Sequence, residues 1–594
     1  VYSASRYIEP SHVSPSAIFV ITNEDIRRSH ANSVPEALRL APGVQVGRVD
    51  ANKWAVSMRG FNSREANKLL ILVDGRSIYD PLFSGMLWES QDFMLEDIDR
   101  IEVIRGPGGT LWGANAFNGV INIVTRNAAD TQGPLASVTV GDEEEYALAL
   151  RYGFRPTQRQ FARVYVKGYE RDTGYMRDLE PHDGSQMRLG GFRWDWNDGA
   201  RNQLRISGDA FNAKAGIRED PILAHYVEHR GRNVLARWRH ELSTRNSFHA
   251  QFYYDHVDYD SIGFTQHRNT YDLELQHTAR LGSRHLLIWG AGSRWQHDDT
   301  SAATVLAGLV DVLPMHRSDT LTHVFVQDTI TIVPDRLNLT LGIKHESTDY
   351  ASSEWLPNVR VAWTPTPEQT WWAAVSEATR VPSRLEADLT FLGTIRPGDQ
   401  FGAEHVRAYE AGHRRLVSPR LWFDVALFYN DYDDLRTTED NVFLRNFMHG
   451  HSRGAEIAVR WEPAARWQLD ATYTYLVMSL GLGPQSTSGE GQARFIEGLA
   501  ARNRASLRTT YMFRDYLQAN ALLRYVDHLP TLNYPSYTEL DLGLTWGVSE
   551  TLELSLVGQN LLHSHHPEQS FAFSATGMAT EIERSVFGRV TWRP

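Results

Sequence analysis

The sequence predicts an all-β membrane protein: a 22-stranded antiparallel transmembrane β-barrel with an N-terminal α/β plug domain inside its lumen. Three observations carry this. From about residue 135 onward, apolar and polar residues alternate with period two. The connections between alternating segments are short and long in turn, as in a barrel with one tight rim and one elaborated rim. The first 130 or so residues follow a different grammar of short apolar runs and short helices, which reads as a separate folded unit.

Composition agrees. The 594 residues hold 60 Lys+Arg against 72 Asp+Glu, a formal charge of −12, which argues against a nucleic-acid partner. Mean hydropathy is −0.40, and no apolar run reaches the roughly 18–20 residues of a membrane helix. Neither fact counts against a barrel, whose strands face lipid on one side only. Cysteine is absent, so disulfides, thiolate nucleophiles and thiolate metal sites are excluded. No signal peptide is visible at Val1, which suits numbering that begins at or after a processing site.

In chain order, Ile18–Ile21 predicts a short strand, and Thr22-Asn23-Glu24-Asp25 opens a short helix. Ser33-Val34-Pro35-Glu36 has capping-box spacing, with a helix stop near Pro42-Gly43. Leu69–Val73, Ile98–Ile104 and Val120–Thr125 predict further strands. Gly106-Pro107-Gly108-Gly109 lacks the Gly-Lys-Ser/Thr that grips phosphate. No nucleophile elbow or His-Glu-x-x-His helix is present, so no enzyme is predicted.

Beyond residue 131 the alternation is explicit. Tyr146, Leu148, Leu150, Tyr152 and Phe154 interleave with Ala147, Ala149, Arg151 and Gly153. Trp467–Tyr475, Leu421–Asp431 and Leu552–Asn560 behave likewise, with aromatics near strand ends as in membrane-interface girdles. Some 460 residues over 22 strands leave about 21 per strand and connection, of which membrane strands need about 9–11. Long loops are expected at 172–186, 214–228, 300–318, 381–403, 435–451, 479–500 and 563–584.

The first region strongly resembles the plug domain of TonB-dependent outer-membrane receptors. The carrying residues run in order: Val34-Pro35-Glu36-Ala37-Leu38, Ala41-Pro42-Gly43-Val44, Met58-Arg59-Gly60-Phe61, Leu72-Val73-Asp74-Gly75, Ile101–Pro107, Leu111–Ala116 and Gly119–Thr125. Ala408–Gly412 and Arg453–Glu456 extend the resemblance into the barrel. It implies three regions: 1–15 as a TonB-interacting or linker segment, 16–130 as the plug, and 131–594 as the barrel. It also implies a bacterial outer-membrane location and active uptake of a scarce, usually metal-bearing ligand, energised through TonB with ExbB and ExbD. A ferric siderophore or similar iron complex is the expected cargo, with cobalamin, haem or another metal complex as alternatives. The expected partners are that small-molecule metal chelate and outer-membrane lipid or lipopolysaccharide, around a monomer with no permanently bound cofactor. A passive porin-like channel and a surface adhesin or signalling receptor are the readings from other classes. Val1 lies too near the plug for the extra domain of a signalling receptor.

By the same resemblance, Arg59 and Arg105 pair with the wall glutamates Glu410 and Glu456 as a plug–barrel latch; the alternative is solvated charge on the lumen wall. Two plug segments are expected to face outward and touch ligand, one offering Arg48, Asp50, Asn52, Lys53 and Trp54, the other Tyr79, Asp80, Phe83 and Trp88. Turn chemistry and packing are the alternative. Val1, Tyr2, Ser3, Ala4 and Ser5 form an extended-compatible segment where a TonB contact would lie.

Histidine is abundant at 23 residues, many in the expected external loops, among them His182, His225, His229, His267 and His316. His449 with His451, and His563 with His565 and His566, suggest metal binding. Their spacing defines no closed site, and solvated loop histidines are the alternative. Haem receptors of this family carry a Phe-Arg-Ala-Pro segment, from which Ala378–Ser383 departs, lowering the haem reading. Barrels usually finish on an aromatic; Trp592 nearly does so, and the terminal Arg593-Pro594 is a departure.

Overall fold

The computed structural model describes the whole chain except residues 4, 8–9, 178–179, 218–224, 262–263, 303–309, 392–395, 398–400, 441–442 and 571–579. Its plug contains β1 (Ala17–Thr22), the hairpin β2 (Val44–Arg48) and β3 (Trp54–Met58), β4 (Leu69–Val73), β5 (Arg76–Ser77), β6 (Ile98–Arg105) and β7 (Gly119–Thr125). Five of these form one sheet in the order β1-β6-β7-β4-β5, in which only β4 and β7 run parallel.

Both faces of that sheet are covered, which is why Leu69–Val73 is apolar throughout. One face buries Ile71, Ile101, Val103 and Ile121 against α1 (Asn23–Ser29), α2 (Val34–Leu38) and the β2–β3 hairpin. The other buries Leu70, Leu72, Ile104 and Val120 against Val1, Tyr79 and Trp112. Trp112 ends a short helix, α3 (Gly109–Trp112).

A capping box forms at α1: the Thr22 hydroxyl accepts from the Asp25 amide, and Asp25 accepts from the Thr22 amide. The box expected at Ser33 does not form, for the Ser33 side chain makes no cap bond. Glu36 is drawn instead to Arg39 at 2.7 Å and to the Trp54 indole at 2.8 Å.

The barrel is closed by 22 antiparallel strands, the first being Gly133–Gly141 and the last, Ser585–Trp592, which pairs back onto it. Tyr146, Leu148, Leu150, Tyr152 and Phe154 are exposed on the outside, where lipid replaces water. No helix among the described residues is long and apolar enough to cross a membrane. A barrel this wide leaves a lumen that side chains alone do not fill, and the plug occupies it.

At one rim the strands join by tight turns, as between Ser243 and Asn246 or Ser418 and Leu421. At the other rim strand extends into several of the expected loops. The 435–451 stretch is a hairpin between Leu421–Glu439 and Phe443–Ala464, and strands reach into 214–228 and 300–318 from both sides. Alternation there continues through polar residues beyond the apolar band, and polarity made those strand ends look like loops.

Candidate functional site

Arg59 follows β3 and Arg105 ends β6, so the two turns deliver both guanidiniums to one patch of wall. Arg59 Nη2 donates to Glu410 Oε1 at 2.8 Å and Nε to Glu456 Oε1 at 3.3 Å, with its guanidinium 4.3 Å from the Phe428 ring centroid. Arg105 Nη1 lies 3.2 Å from Glu456 Oε2, and its Nη2 lies 3.8 Å from Asp424 Oδ2. Asp424 in turn accepts from Arg414 at 3.0 Å. Three guanidiniums thus face three carboxylates from adjacent strands, all buried. Asp424 and Arg414 escaped the sequence reading, although Asp424 shares strand parity with the inward-facing Ala426 and Phe428.

The latch leaves no room for a side chain on two neighbouring turns. Gly43 has φ +81° and a Cβ there would sit 2.5 Å from Glu456 Oε1; Gly106 has φ +99° and a Cβ would sit 2.5 Å from Glu410 Oε1. These glycines let plug backbone close onto the wall carboxylates.

A third contact joins Asp25 to the wall residues Arg508 and Arg460, the latter at 3.2 Å. Burial alone would raise the Asp25 carboxyl, but the two guanidiniums outweigh it and hold it at about 2. Because this folded value lies below the ordinary one, the contact stabilises above about pH 4 and is lost as pH falls towards 2. Hydrogen exchange of α1 is therefore expected to quicken across that window while barrel strands stay protected; uniform protection down to pH 2 would contradict it.

A second buried network sits nearer the long-loop rim. Glu404 accepts from Arg380 Nε at 2.5 Å and pairs with Lys68 of the plug. Arg380 Nη1 also reaches Glu386 at 2.7 Å and Ser84 at 3.0 Å, and Arg436 pairs with Glu386 at 2.7 Å. Glu386 lies on α4 (Arg384–Asp388), whose Arg384 and Leu385 amides donate to the carbonyls of Pro81 and Leu82. Burial pushes the Lys68 ammonium down to about 8, against the pull of Glu404. None of these five charged residues was singled out from sequence as a site.

Of the two plug segments expected to face outward, the first is buried and the second is half-buried apart from Trp88. Arg48, Asp50, Asn52, Lys53 and Trp54 are all buried. Lys53 Nζ is taken by Asp50 at 2.9 Å, Asn52 at 2.7 Å and the Gly216 carbonyl at 2.6 Å. Asn52 donates to the Asp183 carbonyl at 2.6 Å, Arg48 pairs with Glu143, and the Arg48 amide donates to Glu568 at 2.9 Å. In the other segment, Asp80 accepts from Arg268 at 3.0 Å and Phe83 packs edge-on to Tyr259 at 5.3 Å. The Tyr79 hydroxyl bonds Ser84 at 2.6 Å, while Trp88 belongs to the main plug core. Trp88, like Trp54, packs into that core.

The N-terminal segment is likewise inside the barrel. Ser5 and Arg6 amides donate to the Tyr2 carbonyl, a turn where extended backbone was expected. The Ser3 amide donates to Glu102 at 2.8 Å, and Trp112 Nε1 donates to the Ser3 carbonyl at 2.8 Å. Arg6 pairs with Glu274 of the wall and lies 4.5 Å from the Trp112 ring centroid. Val1 packs on the sheet, and Ala4 lies outside the described residues.

The histidines do not converge. His449 and His451 lie on the strand Phe443–Ala464, where His451 stacks on Tyr429 at 5.4 Å. His563 and His566 share Glu539, and His565 pairs with Glu581. Among the described residues, no group of three such side chains could hold a metal ion.

Comparison with known proteins places these features. Residues 11–120 match the TonB-dependent receptor plug domain, and residues 131–561 match the TonB-dependent receptor-like β-barrel. A vitamin B12 transporter, BtuB, of Vibrio vulnificus is 32% identical over 147 residues, 24% of this chain and 23% of that protein. The match thus spans about a quarter of that relative's length. The FrpB iron transporter of Neisseria meningitidis superposes with a TM-score of 0.82 at 15% identity, over 97% of this chain and 99% of that one. The siderophore receptor PiuA of Acinetobacter baumannii gives 0.78 at 17% identity over 100% of both chains. At such identity the likeness is one of fold, and the family rests on the two matched domains. With a plug latched inside a closed 22-stranded barrel, the chain belongs to the TonB-dependent receptors of the bacterial outer membrane.

Proposed function

We propose that this receptor takes up an iron complex of the ferric siderophore type by TonB-dependent active transport, with ExbB and ExbD supplying the energy. The observation that carries the reading is the anchorage of the N-terminal segment. Its Ser3 is tied to Glu102 of β6 and to Trp112 of α3, both integral to the plug. A pull on this segment therefore acts directly on β6, whose last residue, Arg105, is in the latch. Buried guanidinium–carboxylate pairs hold strongly at rest, yet break one at a time under force. A passive channel has no use for that arrangement.

Ligand reaches Tyr79, Asp80 and Phe83 once α4 and neighbouring rim segments move aside, and Arg48–Trp54 once Asp183, Gly216 and Glu568 do. Mixed aromatic and polar side chains suit a bulky chelate carrying polar groups. The iron reading is supported by the FrpB and PiuA likenesses, and a cobalamin reading by the partial identity with BtuB. Growth rescue under iron limitation by a panel of iron chelates, with cobalamin and haem as controls and a TonB-deficient strain beside it, tests both. Rescue by an iron chelate only when TonB is present is expected; rescue by none of them rejects the iron reading. Porin-like liposome swelling by the purified protein would reject active transport.

The anchorage has its own test. With Ser3→Cys as reporter, Glu102→Gln is expected to raise thiol labelling of the segment roughly tenfold, as loss of a charged acceptor costs about 1.5–3 kcal/mol. Unchanged labelling would show that Glu102 does not hold it.

A further inference from the structure

One wall cation beside the latch has no acid to serve. Arg504 lies near the start of the strand Asn503–Arg514, faces the plug and is buried. Its Nη2 donates to the Gly43 carbonyl at 3.3 Å, whereas its Nε and Nη1 are buried with no hydrogen-bond partner. Arg59, Arg105 and Arg414 each meet a carboxylate, but none lies at ion-pair distance from Arg504 among the described residues. Unmatched donors on a buried charge cost stability.

The register shows where that charge has a partner in waiting. Glu456 pairs with Thr474 on the next strand, and Thr474 pairs with Arg504 on the strand after it. The acid and the cation thus stand in one row of the wall, two strand spacings or about 10 Å apart, a gap that two long side chains can close. The backbone of Gly43 fills the gap. Its amide donates to the Thr474 hydroxyl at 2.9 Å, its carbonyl takes Arg504, and a Cβ on it would lie 2.5 Å from Glu456 Oε1.

Withdrawal of the plug takes Arg59, Arg105 and Gly43 away together. Glu456 then loses both of its cations at the moment the obstacle between it and Arg504 leaves. Arg414, the other guanidinium of this wall patch, is spent on Asp424 at 3.0 Å. We propose that Arg504 is a positioning residue for unlatching: as the plug withdraws, it exchanges the Gly43 carbonyl for Glu456 and keeps that wall carboxylate paired. A bond between two charges replaces one between a charge and a carbonyl, which offsets part of the cost of breaking the latch. Opening becomes less uphill, and no docked contact is weakened. The inference rests on the reading that the plug moves during transport, but its test needs neither ligand nor TonB.

The test follows amide exchange of β2 and β6 in the full chain in detergent, with heat-modifiable gel migration reporting that each barrel is closed. Arg504→Gln is expected to slow this exchange roughly tenfold, whereas loss of a contact that merely holds the plug would speed it. Arg504→Met gives a second neutral variant with the same expected sign, and Arg504→Lys, which keeps the charge, should exchange as the parent does. In a Glu456→Gln background, Arg504→Gln should no longer slow exchange, because the acceptor is gone. Faster or unchanged exchange in both neutral variants, or equal slowing with and without Glu456, would overturn the proposal. Slowed exchange in variants of a chain that transports nothing would reject the uptake reading while supporting the role of Arg504.

Discussion

Replacing Arg59 and Arg105 together by alanine is expected to free the plug inside a barrel that stays closed. The two guanidiniums face Glu410, Glu456 and Asp424, and all five side chains are buried. Removing the cations strands carboxylates away from water, and breaking one buried pair typically costs about 3–5 kcal/mol. Those carboxylates sit on strands held by the barrel's own hydrogen-bond ladder, so the cost falls on plug docking. Amide exchange in β1 and β6 should quicken by about two orders of magnitude or more, with barrel strands unchanged. Removing both sides at once, as in Arg59→Met with Arg105→Met, Glu410→Gln and Glu456→Gln, should loosen the plug far less, because the four latch charges go together and Asp424 keeps Arg414. Unaltered exchange in the double alanine variant would mean that packing alone holds the plug.

Which parts of this arrangement the sequence exposed follows from the range of the interactions involved. Period-two alternation is local, so the barrel was legible strand by strand, and the buried plug strands declared themselves as apolar runs. Arg59, Arg105, Glu410 and Glu456 were found only because they lie inside motifs that resemble a family; no spacing rule links residues some 350 to 400 positions apart. Asp424, Arg414 and the Lys68–Arg380–Glu404–Glu386–Arg436 network lie outside those motifs. Arg380 and Ser383 stood in a stretch remarked on only for departing from a haem-receptor pattern. In the structure Arg380 is wholly buried and Ser383 caps α4. The Ser33 box failed because Arg39 and Trp54 compete for Glu36, a tertiary effect that a local rule does not contain. Expected loops became strand for the converse reason: polar strand ends beyond the membrane keep their parity but lose the apolar face that marks it.

Glu404→Gln is the second substitution with a large expected effect, and its pH dependence identifies the cause. Glu404 is the carboxylate shared by Lys68 on the plug and Arg380 on the wall, and it also accepts the Arg436 amide at 2.8 Å. Arg380 keeps Glu386 in the variant, whereas Lys68 loses its only ion-pair partner among the described residues. Burial already holds the Lys68 ammonium at about 8, below its ordinary 10.5, and Glu404 is the main group opposing that. Its loss moves Lys68 further down, so the folded variant sheds this proton at a pH where the unfolded chain retains it. Where the unfolded state binds more protons, stability rises with pH. The variant should therefore be loosened at neutral pH by about 3 kcal/mol or more and recover part of that between about pH 7 and 9, a range over which most ion-paired sites gain nothing. Protease cleavage or exchange around Pro81–Ser84 and α4 reads this out. Lys68→Met added to Glu404→Gln should remove both the loosening attributable to the unpaired lysine and its recovery with pH. A variant that is loosened equally at pH 7 and 9, or a double variant no better than the single one, would place the effect on Arg380 instead and show that the lysine carries no part of the closure between plug and rim.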